Sequence, residues 1–182
     1  MESRLEFIKN AILGERVGAI SRSSRHVVKR VLSEVGSVSN VVEYGAGDGV
    51  LTKELLKVLH PEGKMLVVEL EEGFVEVLKK INDPRLIVVK GKMQDVAQNL
   101  NKYGFEKVDL VLSSIPFSLI EKKERNMVVE NTFNSLKPDG KFIVFHQYST
   151  LMSGYLKKYF YEIKVSFELR NIFPCFIMVA HK

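Results

Sequence analysis

Apolar residues along this chain recur with two alternating spacings. Short runs of valine, isoleucine and leucine, such as Val41–Val42 and Leu86–Val89, have the composition of strands covered on both faces. Between such runs, apolar residues return every three or four positions, as over residues 73–81, which is the period of a helix with one buried face. Strands that alternate with helices in this way predict a doubly wound α/β fold with a mostly parallel sheet.

The predicted elements run from an N-terminal helix to a C-terminal hairpin. Helices are predicted at residues 3–13, 26–35, 50–59, 73–81, 95–100, 123–136 and 152–159, and strands at 41–44, 64–69, 85–89, 108–112 and 141–145. Two further strands, around 161–169 and 173–180, are expected to pair as an antiparallel hairpin at the sheet edge, which gives seven strands. The length of 182 residues favours one domain, residues 1–182, with a helical cap over 1–36 and a core over 37–182.

A glycine turn joins the first strand of the core to its helix. Gly45, Gly47 and Gly49 stand at alternate positions, and a turn built from glycines lets a ligand approach the backbone closely. A dinucleotide site would need another glycine at the position of Val50. Carboxylates also flank the turn, at residues 43 and 48, where they disfavour a phosphate ligand.

Carboxylates around a glycine turn suit a ligand that carries positive charge. The next strand ends in Glu69, twenty residues beyond Gly49, where an acid can accept hydrogen bonds from both hydroxyls of a ribose. With these features the sequence resembles the class I S-adenosylmethionine-dependent methyltransferases, which implies a Rossmann-like fold, S-adenosyl-L-methionine as cofactor and S-adenosyl-L-homocysteine as product. An ordinary βαβ unit with an exposed acid is the alternative.

The resemblance implies a set of residues that contact the cofactor. They are Glu43, Tyr44, Gly45, Ala46, Gly47, Gly49, Glu69, Leu70, Lys92, Met93 and Ser113. Many enzymes of this class hold the adenine with an Asp after the third strand, but here Gly91 is followed by Lys92. The adenine is therefore expected to contact the backbone and Met93.

The loop after the fourth strand is expected to hold the methyl acceptor. Its residues Ser114-Ile115-Pro116-Phe117 resemble the loop of the ribosomal RNA adenine dimethylases in keeping the proline and the aromatic residue, which stacks on the base in that family. Ser114 replaces the amide or acid of that family, and its extra helical C-terminal domain has no counterpart in the chain. Catalytic roles are predicted for Ser113, Ser114, Pro116 and Phe117.

The bacterial-type phospholipid N-methyltransferases, which methylate phosphatidylethanolamine, resemble the chain over nearly its whole length. The resemblance rests on Gly18–Ser24, Ser113–Phe117 and Arg170–Pro174, although Arg22 and Ser114 replace a proline and a glycine of that family. It implies an amine acceptor in a lipid head group. The residues predicted to bind this substrate are Arg16, Arg22, Ser23 and Ser24, with Arg25 as a further contact for the lipid phosphate, although a serine of this pair could simply cap the next helix.

Charge and composition bear on the partner and the compartment. The net charge is +5, and residues 14–30 carry five basic residues against one acid, which could dock an anionic membrane or simply be a solvated helix face. The single cysteine, Cys175, and the absence of a signal-peptide pattern favour the cytoplasm, with peripheral membrane association possible. The spacing of His, Cys and acids predicts no metal site, and no apolar run is long enough to span a membrane. Methylation of ribosomal RNA and non-catalytic binding of S-adenosylmethionine remain as alternatives.

Overall fold

A seven-stranded, mostly parallel sheet forms the centre of the computed structural model, which describes residues 24–147, 149–170 and 174–182. The strands follow the order β3-β2-β1-β4-β5-β7-β6. Their bounds are β1 Val38–Tyr44, β2 Leu59–Glu69, β3 Leu86–Lys90, β4 Val108–Ser113, β5 Leu136–Gln147, β6 Glu162–Glu168 and β7 Cys175–His181. Within the described residues only β7 runs antiparallel to its neighbours. The predicted fold class and the C-terminal antiparallel hairpin are confirmed.

Helices cover both faces of the sheet. They are α1 Arg25–Val35, α2 Val50–Val58, α3 Glu72–Lys79, α4 Met93–Ala97, α5 Lys122–Ser135 and α6 Ser153–Leu156. The first three helices and one face of the strands form one apolar core, and the last three helices cover a second core on the opposite face. Neighbouring strand residues such as Val41 and Val42 enter different cores, which explains why the strands are apolar without interruption.

Two strands, β2 and β5, begin about five residues before their predicted bounds of 64–69 and 141–145. In β2, the partners of Val38 and Asn40 are Leu59 and Lys64, so three extra residues bulge from the ladder. A similar shift occurs at the start of β5, where Asp139 has a positive φ of 62°. The ladder hydrogen bonds resume after each bulge, and the strands are therefore longer than the apolar runs alone indicate.

The beginning of the described chain matches the sequence-based expectation. Ser24 caps α1 by accepting a hydrogen bond from the backbone amide of Val27 (3.4 Å), and Gly36, with φ of 73°, follows the last helical residue. Residues 1–23 lie outside the described residues. The predicted helix over 3–13 and the division into a cap and a core therefore remain predictions.

Arg85 fixes the end of α2 to the sheet. Its guanidinium donates hydrogen bonds to the backbone carbonyls of Leu56 (2.8 Å) and Leu59 (3.0 Å) and pairs with Asp83 at 2.7 Å. The last carbonyls of a helix have no partner within the helix, so this arginine satisfies them and offsets the negative end of the helix dipole.

The topology gathers the loops after β1, β2 and β4 at one edge of the sheet. Strand order reverses between β1 and β4, which are hydrogen-bonded neighbours. In open α/β sheets, ligands bind beyond the carboxyl ends of the strands at this point. Because β6 runs parallel to β5, its last residues reach the same edge.

Candidate active site

The glycine turn after β1 has left-handed backbone conformations that glycine adopts without strain. Gly45, Gly47 and Gly49 have φ values of 77°, 55° and 76°. A Cβ atom on Gly45 would stand 2.7 Å from Cγ1 of Ile115, so this glycine is required for contact with the loop after β4. A Cβ on Gly47 would meet nothing within 4 Å. Gly47 therefore borders open space that a ligand can fill.

Glu69 ends β2 beside this turn. Its carboxylate accepts hydrogen bonds from the backbone amides of Gly47 (2.8 Å), Leu70 (2.7 Å) and Glu71 (3.1 Å). Leu70 is 53% exposed, so this acid lies at the rim of the edge rather than in the core. A carboxylate has about four acceptor positions, so at least one remains for a ligand hydroxyl.

Glu43 lies beneath the glycine turn, and its side chain is buried. The hydroxyl of Thr52 donates a hydrogen bond of 2.6 Å to Oε2 of Glu43. Burial raises the pKa of Glu43 to about 8; the hydrogen bond from Thr52 opposes this rise, and the charges of Glu69 and Asp48 add to it. At neutral pH this carboxyl is largely protonated, and it connects β1 to α2.

The loop after β4 is fastened to the glycine turn. The hydroxyl of Ser114 donates to the carbonyl of Gly45 (2.7 Å), and the amide of Ser114 donates to the carbonyl of Tyr44 (3.3 Å). Ser113 is buried, and its hydroxyl accepts a hydrogen bond from the amide of Ile115 at 3.4 Å. Pro116 is exposed. This edge of the sheet thus places an open glycine turn, an acid and a polar loop side by side.

The comparison with protein families identifies this arrangement. Residues 41–140, more than half of the chain, match a family model described as a methyltransferase domain, and the match spans the glycine turn, Glu69 and the loop after β4. The chain belongs to the methyltransferase domain family. It is an S-adenosylmethionine-dependent methyltransferase, and the predicted enzyme class and cofactor are confirmed.

Curated relatives of this methyltransferase include lipid and RNA enzymes. An ornithine lipid N-methyltransferase from Singulisphaera acidiphila is 29% identical over 153 residues, which are 83% of this chain and 79% of the relative. Ribosomal RNA small subunit methyltransferases A from Mycoplasma mycoides and Mycoplasma capricolum are 30% and 32% identical over 100 and 80 residues. Those matches cover 52% and 42% of this chain but only 36% and 29% of the RNA enzymes.

Solved structures of other methyltransferases share the fold. The N-methyltransferase NodS from Bradyrhizobium japonicum, in complex with S-adenosyl-L-homocysteine, has a TM-score of 0.76 at 11% identity and covers 100% of this chain and 99% of its own. A 1,6-didemethyltoxoflavin-N1-methyltransferase from Burkholderia thailandensis has a TM-score of 0.74 at 15% identity, with coverage of 98% and 86%. At these identities the likeness shows the fold alone, and it confirms the Rossmann-like architecture.

The residues at the edge of this methyltransferase fit its cofactor. The space at Gly47 is free of protein atoms to 4 Å, and Glu69 retains acceptor capacity for a ribose. The negative charge around the turn, from Asp48 and Glu69, complements a ligand with a sulfonium and an ammonium group. A phosphate in the same place would be repelled by these carboxylates.

Tyr44, Met93 and Phe117, all predicted site residues, have side chains buried in one apolar core and can offer only backbone atoms to a ligand. Tyr44 has no exposed surface, and its hydroxyl lies 3.4 Å from Oγ1 of Thr132; burial raises its pKa to about 12. Met93 is 3% exposed and packs in the core, which corrects the expected side-chain contact with the adenine. Phe117 is fully buried in the same core, so the stacking role implied by the RNA enzymes does not match its position.

The other predicted site residues fall into three groups according to their position in the chain and the fold. Gly45, Ala46, Gly47, Gly49, Glu69, Leu70, Lys92, Ser113, Ser114 and Pro116 all stand at the carboxyl edge of the sheet. Arg16, Arg22 and Ser23 lie outside the described residues, as does most of the segment Arg170–Pro174. Ser24 is the cap of α1.

Two residues that sequence reasoning missed hold the site together. Thr52, the hydrogen-bond partner of Glu43, lies on the buried face of α2 among leucines, and a polar residue on an apolar stripe was the available signal. Ile115 packs against Gly45, a contact between segments seventy residues apart that no local pattern reveals.

Among residues 24–147, 149–170 and 174–182, no helix is long and apolar enough to cross a membrane. No group of three potential metal ligands occurs in that part of the chain either.

Proposed function

We propose that this methyltransferase transfers a methyl group to the amine of a lipid head group, such as that of phosphatidylethanolamine, at a membrane surface. The observation that carries the proposal is the match to an ornithine lipid N-methyltransferase, which extends over 83% of this chain and 79% of the relative. The matches to the RNA enzymes are confined to about half of the chain or less. The match to the lipid enzyme is thus more extensive than the matches to the RNA enzymes.

The geometry of the loop after β4 is compatible with an amine acceptor. When bound, S-adenosylmethionine supplies an electrophilic methyl group on a sulfonium. The Ser114 hydroxyl already donates its proton to Gly45, so its remaining lone pairs can accept a hydrogen bond from an acceptor amine. Methyl transfer to a neutral amine depends largely on positioning and on exclusion of water. The loop after β4, held to Gly45 by Ser114, supplies a fixed position for the amine beside the open turn.

Exposed apolar side chains support contact with a membrane on the same edge. Phe167 is 47% exposed and Leu169 is 68% exposed, and both lie at the end of β6 that reaches the carboxyl edge of the sheet. Phe167 also stacks on Phe176 of β7, with ring centroids 4.8 Å apart. Aromatic and aliphatic groups at a protein surface enter the interfacial region of a bilayer favourably. Insertion of Phe167 and Leu169 into the bilayer surface would bring the active site to the lipid head groups.

The aromatic residues near α6 are a poorer candidate for a membrane contact, because most of them are only partly exposed. Tyr161 is 74% exposed, whereas Phe160 is 5% exposed and packs edge-to-face on Phe133 at 5.3 Å. Tyr161 precedes β6 and therefore lies toward the opposite edge of the sheet. The end of β6 is the better membrane contact.

Transfer of labelled methyl groups from S-adenosylmethionine tests the proposal. The purified chain is incubated separately with vesicles that contain phosphatidylethanolamine, with vesicles in which an amine-free lipid replaces it, and with ribosomal RNA. We expect label in the organic phase only with the amine-bearing vesicles. Label in RNA would support the alternative function instead, and cofactor binding without label in any fraction would contradict methylation of these acceptors.

A matched pair of variants links that activity to the site. Ser114→Ala removes the hydroxyl that fastens the acceptor loop. Ser135→Ala, which removes a hydroxyl that donates to the carbonyl of Thr132 at the opposite edge of the sheet, serves as the control. The first change should lower the rate of lipid methylation roughly tenfold or more, because misplacing a reacting group is costly. The second should leave it unchanged.

A further inference from the structure

Arg125 carries a positive charge that no described carboxylate neutralises. Its Nη2 donates to the backbone carbonyl of Ser118 (3.2 Å), its Nη1 lies 3.5 Å from the hydroxyl of Tyr155, and its Nε is buried without a hydrogen-bond partner. No carboxylate of the described residues lies within 4.0 Å of the guanidinium. Arg125 is thus held by neutral acceptors only, and one N–H of each terminal nitrogen has no hydrogen-bond partner among the described residues.

Lys158 adds a second positive charge at the same tyrosine. Its Nζ lies 5.5 Å from the ring centroid of Tyr155, and the guanidinium carbon of Arg125 lies 5.9 Å from it. Asn126 accepts a hydrogen bond from Lys158 (3.0 Å) and donates one to the hydroxyl of Tyr159 (3.0 Å). The lysine is therefore held in place by a neutral side chain rather than by an acid.

The start of α5 strengthens this positive field. Lys122, Lys123 and Arg125 stand in the first turn, with Glu124 as its one acid, and Glu121 makes no capping hydrogen bond with its side chain. Cations at the positive end of a helix dipole lower the stability of the helix. Such an arrangement is favourable when an anion binds there.

The cluster lies on the acceptor side of the site. Ser118, whose carbonyl accepts a hydrogen bond from Arg125, lies two residues after the loop Ser113–Pro116, and Tyr155 belongs to α6, which follows β5. Both α5 and α6 begin beyond the carboxyl ends of the strands they follow. The cofactor turn lies on the other side of that loop, after β1.

We propose that Arg125 and Lys158, with the hydroxyl of Tyr155, bind the anionic group of the acceptor head group, a phosphodiester or a carboxylate, and so place its amine at the loop after β4. The proposal rests on the function proposed above and adds the specificity for a zwitterionic head group. Arginine forms strong, charge-assisted hydrogen bonds with such oxyanions, and Nη1 and Nη2 of Arg125 each retain one N–H beyond those given to Tyr155 and Ser118.

Binding of a soluble head group tests this subsite without turnover. The full chain, saturated with S-adenosyl-L-homocysteine, is titrated with sn-glycero-3-phosphoethanolamine by calorimetry, and separately with inorganic phosphate. Arg125→Gln and Lys158→Gln should each weaken binding of the head group roughly tenfold, and Arg125→Lys should restore part of it. Lys157→Gln is the matched control, because Lys157 is exposed and makes none of these side-chain contacts. In lipid methylation, the same variants should raise KM while kcat stays nearly constant.

The outcomes separate the subsite from the proposed function. Head-group binding that is lost in both variants, with unchanged melting temperature and unchanged affinity for S-adenosyl-L-homocysteine, supports the subsite even if the enzyme methylates no lipid. Lipid methylation with an unaltered KM in both variants overturns the subsite and leaves the function standing. Inorganic phosphate that binds as tightly as the head group, or a loss confined to RNA binding, also overturns it.

Discussion

The two halves of the active edge differ in charge and in construction. The half after β1 and β2 carries the carboxylates Asp48 and Glu69 around a turn of glycines, and this turn can offer backbone groups to a ligand. The half after β4 and β5 carries Arg125 on α5 and Lys158 just after α6, and it offers side chains to an acceptor. An acidic cradle suits a cationic methyl donor, and a basic cluster suits an anionic acceptor. The same sheet edge can therefore hold the methyl donor in one half and the methyl acceptor in the other.

Two arginines show how a structural charge differs from one available to a ligand. Arg85 pairs with Asp83 and donates to carbonyls at the end of α2, so its donors are occupied within the fold. Arg125 makes one contact with a carbonyl and one long contact with a hydroxyl, and its Nε has no partner. Substitution of the first should affect stability, and substitution of the second should affect binding.

The largest effect is expected at the glycine turn. Gly47→Val places a side chain in the open space beside the backbone, so cofactor affinity should fall roughly 100-fold, since overpacking of a fitted site costs about 1–3 kcal/mol. Gly36→Val is the matched control: Gly36 also has a positive φ, of 73°, and also faces open space, but it follows α1 at the opposite edge. Titration with S-adenosyl-L-homocysteine measures both. Equal losses in the two variants would show that backbone strain, not the cradle, is responsible.

A smaller loss is expected at the acid that ends β2. Glu69→Gln keeps the size of the side chain but removes the charge that strengthens hydrogen bonds to a ribose, so cofactor affinity should fall roughly tenfold or more. Glu72→Gln removes an exposed carboxylate that pairs with Lys90 on the adjacent strand, and it should leave affinity unchanged. The same titration provides the measurement. An unaltered affinity in Glu69→Gln would place the ribose elsewhere.

The sequence predicted the glycine turn and the position of Glu69, but it gave no sign of the cluster around Arg125, for a physical reason. The glycines from Gly45 to Gly49 and the acid Glu69 belong to local strand–turn–helix units, and their spacing follows directly from that geometry. The fold was predictable for the same reason, because each strand and helix has its own apolar period. Arg125 and Tyr155 are thirty residues apart in ordinary helical sequence, and only the packing of α5 on α6 brings them together. The buried position of Phe117 likewise depends on tertiary packing rather than on its motif.

The comparison of the two arginines leads to a prediction about stability. Arg85→Gln removes charged hydrogen bonds to the end of α2 and leaves Asp83 without its partner, so the free energy of unfolding should fall by about 2 kcal/mol. Head-group binding should not change, because Arg85 lies at the opposite edge of the sheet. Denaturant unfolding measures the first effect and calorimetry the second. Loss of head-group binding in this variant would mean that the response of Arg125→Gln is not specific.

The buried acid beneath the glycine turn is expected to make the stability of the fold depend on pH. Burial raises the pKa of Glu43 from its ordinary value of 4.5 to about 8 in the folded chain. Between these pH values the folded state retains a proton that the unfolded state has released. The contribution of Glu43 to stability is therefore greatest below pH 4.5, and it declines as the pH rises toward 8.

Replacement of this acid by an amide should remove that decline. A single retained proton lowers the free energy of unfolding by about 1.4 kcal/mol for each unit of pH between 5 and 8. Glu43→Gln, which can still bond to Thr52, should flatten the profile by that slope, whereas Glu106→Gln, at an exposed carboxylate, should leave it unchanged. Urea unfolding at several pH values measures the slopes. Equal slopes for the wild type and Glu43→Gln would mean that Glu43 is ionised in the fold. The glycine turn would then lie above a negative charge rather than above a neutral hydrogen-bond donor.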